Sequence, residues 1–594
     1  MQYVSTIRRI YSLLSPSERT RGAIVFALMV VGMVLETLGI GLVIPAIALL
    51  VDDNPAATYP ALRPMLDVLG NPTQARLITI GMLTLVGIYV VKGTFLAFLG
   101  WYQNRFAFAV QEQTSLKLFA VYLHQPYTFH LQRNSAQLIR NVVNEVNKLW
   151  FLVLNPALVV LSEGLVLIGV TGLLFLIEPV GASILVLLLG AGTWAFHSAT
   201  RAKLLQLGHA RQDQDGLRIQ QLQEGLGGVK EVKLLGRERS VLAKYSTHNA
   251  ESARVERLQA TVQLLPRLWI EVFAVAGLAG LVLTMLAQGN TAAGIVPTLG
   301  LFAAAAFRLM PSAYRVIGAT HNFPYALPVI TTIYEELQLA HVPGPQTERT
   351  VRNVEGFGND IRLVDVHYTY PGAAEPALNG VSLVIRKGES VGLVGSSGAG
   401  KSTLVDITLG LLTPTAGQVA VDACDIQEDL RGWQRQIGYV PQSVYLSDDT
   451  LRNNVAFGLF PQDIDEAAVQ RAIAAAQLDI FAAGLPEGLD TLVGERGVRL
   501  SGGQRQRIGI ARALYGEPSV LVLDEATSAL DTRTEEGVMR AVAALKGKTV
   551  IVVSHRLSAV EGCSRLYRLE QGCITTEGVP ADLFDAPNVR SSEV

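Results

Sequence analysis

Residues 22–51 read GAIVFALMVVGMVLETLGIGLVIPAIALLV, with Glu36 the only charge among them. About 20 apolar residues in a helix cross the hydrocarbon core of a bilayer. Inside that core there is no water for the backbone, so a spanning segment must satisfy its own peptide groups. The run is too long for a signal peptide and lacks a small-residue cleavage site, so it is expected to stay in the chain. Further apolar segments lie near 77–104, 149–176, 179–199, 266–288 and 292–318, which makes six expected spans. A soluble bundle of buried helices is the competing possibility, and several runs of spanning length argue against it.

The connections orient these spans. Arg8, Arg9, Arg19 and Arg21 precede the first one, and eleven Lys and Arg fall between 200 and 265. The short connections near 177–179 and 289–291 carry none. Basic loops stay on the cytoplasmic side, and an even number of spans then puts both chain ends there. Residues 105–148 and 200–265 are polar and favour helix, so they are expected to extend the spans into the cytoplasm. Gly225–Gly236 (GLGGVKEVKLLG) forms a small glycine-bounded apolar element within the second. Residues 5–20 are expected to form a short interfacial helix.

The two parts of the chain differ in charge. Residues 1–340 carry 26 Lys and Arg against 19 Asp and Glu, and residues 341–594 carry 23 against 32. Only 17% of all residues are charged, which excludes a disordered or nucleic-acid-coating protein, and no nucleic-acid partner is expected. Cys424, Cys563 and Cys573 fit neither a zinc site nor a disulfide framework, so a reducing compartment is expected. Past Pro343 and Pro345 short β-rich runs begin, at 361–366, 381–385 and 390–394, and helices alternate with them later. An α/β domain with a mainly parallel core and an antiparallel edge is expected over 341–594, after an all-α domain over 1–340.

The acidic part carries chemistry. Gly395, Ser396, Ser397, Gly398, Ala399, Gly400, Lys401, Ser402 and Thr403 follow the strand-like ESVGLV and open a helical run. They match G-x-x-x-x-G-K-[ST] in its required strand–loop–helix setting. Glycines let backbone N–H groups face phosphates, Lys401 reaches the terminal phosphates, Ser402 offers a hydroxyl to Mg2+, and the helix N-terminus favours negative charge. A chance glycine-rich turn is the bland alternative, which the context disfavours. The apolar run 519–523 ends in Asp524 and Glu525. Asp524 suits a Mg2+ ligand, and Glu525 suits orientation or deprotonation of the attacking water. Such a pair is ordinarily a solvated turn, but a P-loop sharing the sheet reverses the odds.

Leu500-Ser501-Gly502-Gly503-Gln504 resembles the signature sequence of the ABC ATPases, and LDEATSALD follows it. The resemblance implies further roles. Tyr370 in HYTYPG resembles the aromatic that stacks on adenine, and Gln442 in GYVPQ the Q-loop glutamine that touches Mg2+ and the attacking water. Ser528–Asp531 resembles the D-loop, His555 in VVSHR the switch histidine, and Thr491–Gly497 the exporter X-loop. Six spans followed by one such domain is the order of an ABC exporter half-transporter. It implies ATP and Mg2+ as the small molecules used, and a second chain, most simply a homodimer, to complete each ATP sandwich. Elements near 124–134 and 225–236 are then expected to couple ATPase closure to the spans.

Charges inside spans mark pathways, and here they are Glu36, Lys92, Glu163, Arg267, Glu271, Arg308 and Arg315. Each alone could equally be structural. Arg267 and Glu271 share a helical face and could simply pair, whereas Lys92 and Arg308 have no local partner. In a dimer Lys92, Arg267 and Arg308 would make a basic lining for an anionic substrate. The segments VLETLGIGLVIPAIALL, PRLWIEV and FRLMPSAYRVIG are similar to bacterial lipid-linked oligosaccharide flippases. That resemblance implies a polyprenyl-pyrophosphate glycolipid as substrate, the bacterial inner membrane as location, and a short external helix at Tyr59–Leu69. The alternatives are a multidrug or general lipid exporter of the same architecture, a peptide exporter, and a soluble P-loop ATPase.

Overall fold

The computed structural model describes residues 8–12, 14–42, 74–177, 179–287, 292–341, 357–494, 497, 500–526, 532–543 and 547–581. The chain forms two units: Met1–Gln125 with Gln132–Val342, and Pro343–Val594 with the short segment Pro126–Leu131.

The first unit is helical. Helix α1 (Pro16–Gly41) starts where Ser15 and Glu18 cap each other and Pro16 takes the first helical position, which satisfies N–H groups that have no intrahelical partner. Helix α2 (Gln74–Leu123) runs for 50 residues. The next span is compound: Ser135–Arg140, a wide π-helical turn at Asn141–Glu145, one ordinary turn, a second π-helical turn at Trp150–Leu154, and then α3 (Asn155–Ile177). Helices α4 (Pro179–Gly227), α5 (Glu238–Ala287) and α6 (Ala292–Gln338) have 49, 50 and 47 residues. At 1.5 Å per residue each of these is roughly 70–75 Å long, more than twice the apolar thickness of a bilayer. Spans thus run on into the polar extensions as helices, with 105–148 breaking around the short helix Tyr127–Gln132 and 200–265 breaking between Gly227 and Glu238. The other expected element, within 225–236, is the short helix Val229–Leu234. Among the described residues four helical stretches are long and apolar enough to cross a membrane. The expected external helix at Tyr59–Leu69 and the D-loop Ser528–Asp531 lie outside the described residues, as do Glu495 and Arg496 of the X-loop.

Apolar side chains of this unit pack in several clusters. Val25, Met29, Leu99, Phe106 and Leu154 join α1, α2 and the second wide turn. Ile40, Val166, Val170, Leu174 and Leu309 join α1, α3 and α6. Leu83, Leu176, Leu187 and Trp194 lie largely exposed on the long helices, which suits a lipid surround rather than water. The polar stretches pack around charges instead. Glu145 and Arg211 are almost wholly buried, with Arg211 Nη2 3.4 Å from Glu145 Oε2. Lys148 pairs with Asp215, which also accepts from Ser252 at 3.0 Å.

In the second unit, β1 (Asp360–Tyr368), β2 (Leu378–Arg386), β4 (Ala416–Val421) and β5 (Cys424–Asp425) form an antiparallel sheet in the order β2-β1-β4-β5. The other sheet contains β3 (Ser390–Val394), β6 (Ile437–Val440), β7 (Val520–Asp524), β8 (Thr549–Val553), β9 (Arg565–Glu570) and β10 (Cys573–Gly578). Its order is β10-β9-β3-β8-β7-β6. Strands β9, β3, β8, β7 and β6 run parallel, and β10 is the antiparallel edge. Alternate residues of β7 serve two cores. Val520 and Val522 pack in the cluster of Leu404, Val405 and Ile407, on α7 (Lys401–Thr408). Leu521 and Leu523 pack in the cluster of Ile508, Ile510 and Ala511, on α8 (Gly502–Leu514). Helices on both faces explain why 520–523 is apolar throughout rather than alternating.

Glu145→Ala leaves the Arg211 guanidinium buried without its carboxylate, a loss of about 3–5 kcal/mol. We expect a clear drop in the thermal unfolding midpoint of the detergent-solubilised protein. Changing both residues, Glu145→Ala with Arg211→Met, should lower it less than the single change.

Candidate functional site

Parallel strands align their carboxyl ends, and ligand sites of such sheets lie outside those ends. The register places Leu393 of β3 and Asp524 of β7 on either side of Val553 of β8, and Val440 of β6 beside Leu523. The residues that follow these strands therefore meet at one sheet edge: the P-loop after β3, Gln442 after β6, Glu525 after β7 and His555 after β8.

The P-loop needs its glycines. Gly398 and Gly400 have φ of 81° and 100°, a region that disfavours side chains. A Cβ on Gly400 would lie 2.6 Å from the carbonyl oxygen of Ala377, and one on Gly395 2.3 Å from that of Leu569. The loop is thus a backbone cradle closed in from behind, a fit for phosphate. Lys401 opens α7, is almost fully buried, and donates from Nζ to the carbonyls of Gly395 and Ser396 at 2.9 Å each. Burial lowers its pKa, and Glu525 and Asp524 work against that shift. Ser402 is exposed. Thr403 is buried, with its hydroxyl 3.1 Å from that of Tyr370. Tyr370 also meets Tyr368 edge to face at 5.0 Å between ring centres.

The carboxylates take different surroundings. Asp524 is buried at the end of β7, and desolvation raises its pKa. Tyr439 donates to its Oδ2 at 3.3 Å and favours the ionised form. Glu525 adopts a left-handed backbone, φ 50°, and is held on both sides. Gln442 Nε2 donates to Oε2 at 2.6 Å, and His555 Nε2 lies 2.7 Å from Oε1. The structure thus gathers Glu525, Gln442 and His555 into one hydrogen-bonded group beside Asp524 and the P-loop lysine. An ionised carboxylate held in this way can accept a proton from, or orient, a water between it and a phosphate.

The donor set fits Mg2+. Ser402 and Asp524 are hard oxygen ligands, and Mg2+ takes one or two such groups with phosphate and water completing the shell. It needs no all-protein cage, and among the described residues no cluster of three or more His, Cys, Asp or Glu could hold a metal. When bound, Mg2+ would neutralise phosphate charge.

Ser501 to Gln504 stand at the start of α8. Ser501 is exposed, its N–H donates to Gln504 Oε1 at 2.8 Å, and its hydroxyl accepts from the Gln504 N–H at 3.2 Å. This reciprocal cap leaves the helix N-terminus open to solvent, where it favours an anion.

A second cluster lies in the helical unit. Glu36 of α1 takes Arg308 of α6 in two contacts of 3.1 Å and Lys92 of α2 at 3.0 Å. Glu163 of α3 pairs with Arg315, accepts from Ser312 at 2.6 Å, and stands 3.5 Å from Arg308 Nη1. All six residues except Ser312 line a cavity of about 570 Å3. Lys92 and Arg308, with no opposite charge one turn away on their own helices, are thus paired with carboxylates across helices. Arg267 pairs with Glu271 at 3.2 Å on the exposed side of α5 and does not line this cavity. A separate, mostly apolar cavity of about 620 Å3 includes Leu167, Trp194, His197, Ile317 and Phe323.

Sequence reasoning missed Tyr439, Ser312 and Asp406. Asp406, on α7, has its pKa pushed up to about 6 by burial and by Asp524. It stands five residues after Lys401, and no motif marks it. Tyr439 could have been suspected only from its place three residues before Gln442.

Known proteins share this layout. Residues 378–528 match the family model described as ABC transporter, and residues 24–305 that of the ABC transporter transmembrane region. An "ATP-dependent lipid A-core flippase" of Cupriavidus metallidurans is 31% identical, over 98% of this chain and 94% of its own. A protein of the same name from Thiobacillus denitrificans is 32% identical, over 84% and 86%. The solved structure titled "Structure of a bacterial Atm1-family ABC exporter with ATP bound" superposes with a TM-score of 0.80, covering 96% of this chain and 98% of that one. Its 22% identity makes this a likeness of fold.

Glu525→Gln should keep ATP binding and lower turnover by about 10²–10⁴-fold, the range for a general base. Nucleotide binding and phosphate release, measured on the same preparation, check it. Asp406 supplies a pH test. An acid whose pKa is higher folded than unfolded holds its proton more tightly in the native state, so stability falls as pH rises from the ordinary carboxylate value through about 6. Asp406→Asn should therefore stabilise the protein at pH 8 and give little gain at pH 4, read by thermal unfolding at each pH.

Proposed function

We infer the transport reaction from one premise: the chain belongs to the ABC transporters of exporter type, membrane proteins that couple ATP hydrolysis to transport. Its cargo on this reading is a lipid with an anionic head group, a lipid-linked oligosaccharide or similar polyprenyl-pyrophosphate glycolipid moved across the bacterial inner membrane. The observation that carries it is the charge balance of the 570 Å3 cavity. Among the described residues the acidic groups that Lys92, Arg308 and Arg315 meet there are Glu36 and Glu163, and Arg315 keeps about half of its side chain exposed. A positive excess inside a membrane domain is costly unless an anion joins it, and phosphate oxygens suit guanidinium groups. The relatives' names also point to a lipid. The apolar cavity with Trp194 and Phe323 favours a second reading, export of general lipids or drugs.

The ATP site works between two copies of the chain. The P-loop of one protomer binds Mg2+-ATP with Tyr370 against the adenine, and Ser501 to Gln504 of the other complete the sandwich at the γ-phosphate. Ser402, Asp524 and Gln442 hold Mg2+, Glu525 activates the water, and His555 senses the phosphate. ATP favours the closed pair and hydrolysis releases it, a two-state element biased by its ligand. The elements near 124–134 and 225–236, which hold the short helices Tyr127–Gln132 and Val229–Leu234, pass this motion to the spans. The N-terminus and the ATPase domain are cytoplasmic.

Purified protein in proteoliposomes tests the cargo directly. Translocation of a polyprenyl-pyrophosphate glycan should exceed that of lipid A-core, neutral lipids and apolar drugs. Equal handling of drugs would overturn the anionic-lipid reading. Arg308→Ala is a poor probe, because it strips the buried Glu36 of a bidentate partner and invites misfolding. Arg315→Gln is the better one, and glycolipid transport per folded protein should fall about tenfold or more, the loss expected when a charged contact goes.

A further inference from the structure

The two carboxylates of the membrane cluster are held very differently. Glu36 is buried and receives both forks of Arg308 together with Lys92. Lys92 Nζ also lies over the ring of Tyr89, 4.3 Å from its centre. Tyr89 donates to the Gly39 carbonyl at 3.3 Å, which anchors that corner to α1. Glu36, Lys92 and Arg308 therefore make a rigid, satisfied set.

Glu163 is buried as well, but it has one close cation where Glu36 has two. It meets Arg315 through one nitrogen and Arg308 through the long 3.5 Å approach, and Arg308 Nη1 already donates to Ser312 at 2.7 Å. Its firm neutral anchor is the Ser312 hydroxyl at 2.6 Å. Arg315 is the most exposed of the three cations, with 55% of its side chain accessible against 23% for Arg308 and 12% for Lys92. Its planar fork presents five N–H donors, and a single-nitrogen contact leaves the geometry for two parallel bonds unused.

We propose that Glu163 is an internal counter-anion that occupies Arg315 until a phosphate of the cargo lipid displaces it. The inference rests on the anionic-lipid reading above and concerns the control of that same site. A carboxylate offers two oxygens with one charge, whereas a diphosphate offers more oxygens and more charge, so it outcompetes Glu163 for the fork. Glu163 then remains on Ser312 with its negative charge beside the bound head group. That repulsion limits how tightly the head group is held, and it lets Glu163 reclaim Arg315 when the lipid leaves. The exchange keeps Arg315 paired in both states, which avoids a desolvated lone guanidinium. It also gives selectivity: a neutral lipid cannot displace a paired carboxylate, so only an anionic head group opens the site.

The test is a binding cycle in nanodiscs with undecaprenyl pyrophosphate, neutral undecaprenol and inorganic pyrophosphate as probes. Glu163→Gln removes the competing charge and should tighten undecaprenyl pyrophosphate binding by about tenfold, a value within the range of coupled charge pairs. Release should slow, so transport per binding event should fall. In the Arg315→Gln background the same change should give a clearly smaller gain, because only the relief of repulsion is left once the fork is gone. Undecaprenol binding should be unchanged, and inorganic pyrophosphate should compete only weakly if the lipid chain supplies part of the affinity. Should Glu163→Gln fail to fold, Glu163→Asp draws the carboxylate back from Arg315 and should tighten binding by a few-fold. Equal or weaker binding of the pyrophosphate lipid by a folded Glu163 variant overturns the proposal, as does a gain that is undiminished without Arg315. Failure of the cargo reading looks different: the wild-type protein then binds undecaprenol as tightly as its pyrophosphate.

Discussion

A charge removed from water must find an opposite charge or a dense set of hydrogen bonds, and this requirement organises both units. In the helical unit Glu36 ties α1 to α2 and α6 through Lys92 and Arg308, and Glu163 ties α3 to α6 through Arg315 and Ser312. The polar reaches of the long helices follow the same rule, with Glu145 on Arg211 and Asp215 on Lys148 and Ser252. In a bilayer, apolar packing alone does not choose which helices meet, because lipid is as apolar as leucine. Ion pairs between distant segments supply part of that choice.

The ATPase unit meets the same requirement with catalytic consequences. Lys401 is buried and its ammonium is satisfied by two loop carbonyls, contacts that a phosphate can replace. Asp524 is buried with Tyr439 as donor. Glu525 is held by a glutamine and a histidine, each from the end of a different strand. Three strand ends and one loop thus bring groups separated by more than 150 positions to one edge. The left-handed backbone of Glu525 is part of that arrangement, since the chain turns sharply as it leaves the sheet. Such local strain persists where the surroundings over-determine it, and here β8 supplies the Val553 carbonyl that accepts from the Glu525 N–H at 2.9 Å.

Much of this was legible from residues alone because local chemistry leaves few options. The P-loop reads plainly, since glycine suits the left-handed backbone at 398 and 400 and the close approaches at 395 and 400. The apolar run 519–523 reads as a doubly buried strand because its two faces are covered by helices. The start of α1 at Pro16, capped by Ser15 and Glu18, instead falls inside the stretch 5–20 expected as a separate interfacial helix. The two wide turns around Val146–Leu149 have no comparable signature, since they depend on how neighbouring helices pack. The separate antiparallel sheet was also hidden, because strand spacing does not say which strands pair across long connections.

The sequence by itself determined the order of a helical membrane domain and an ATPase domain, and it singled out the glycine-rich loop whose backbone the structure closes in from behind. These are decided over a few turns of chain, by hydrophobic length and by backbone freedom. Tertiary structure alone decided the charge pairing inside the membrane unit. Lys92 and Arg308 have no opposite charge one helical turn away, and their partner Glu36 is 56 and 272 residues distant. Arg267, by contrast, finds Glu271 four residues on. A partner on the same helix is fixed by the 3.6-residue repeat. A partner on another helix is fixed by which helices pack together and in what rotation, a property of the whole bundle.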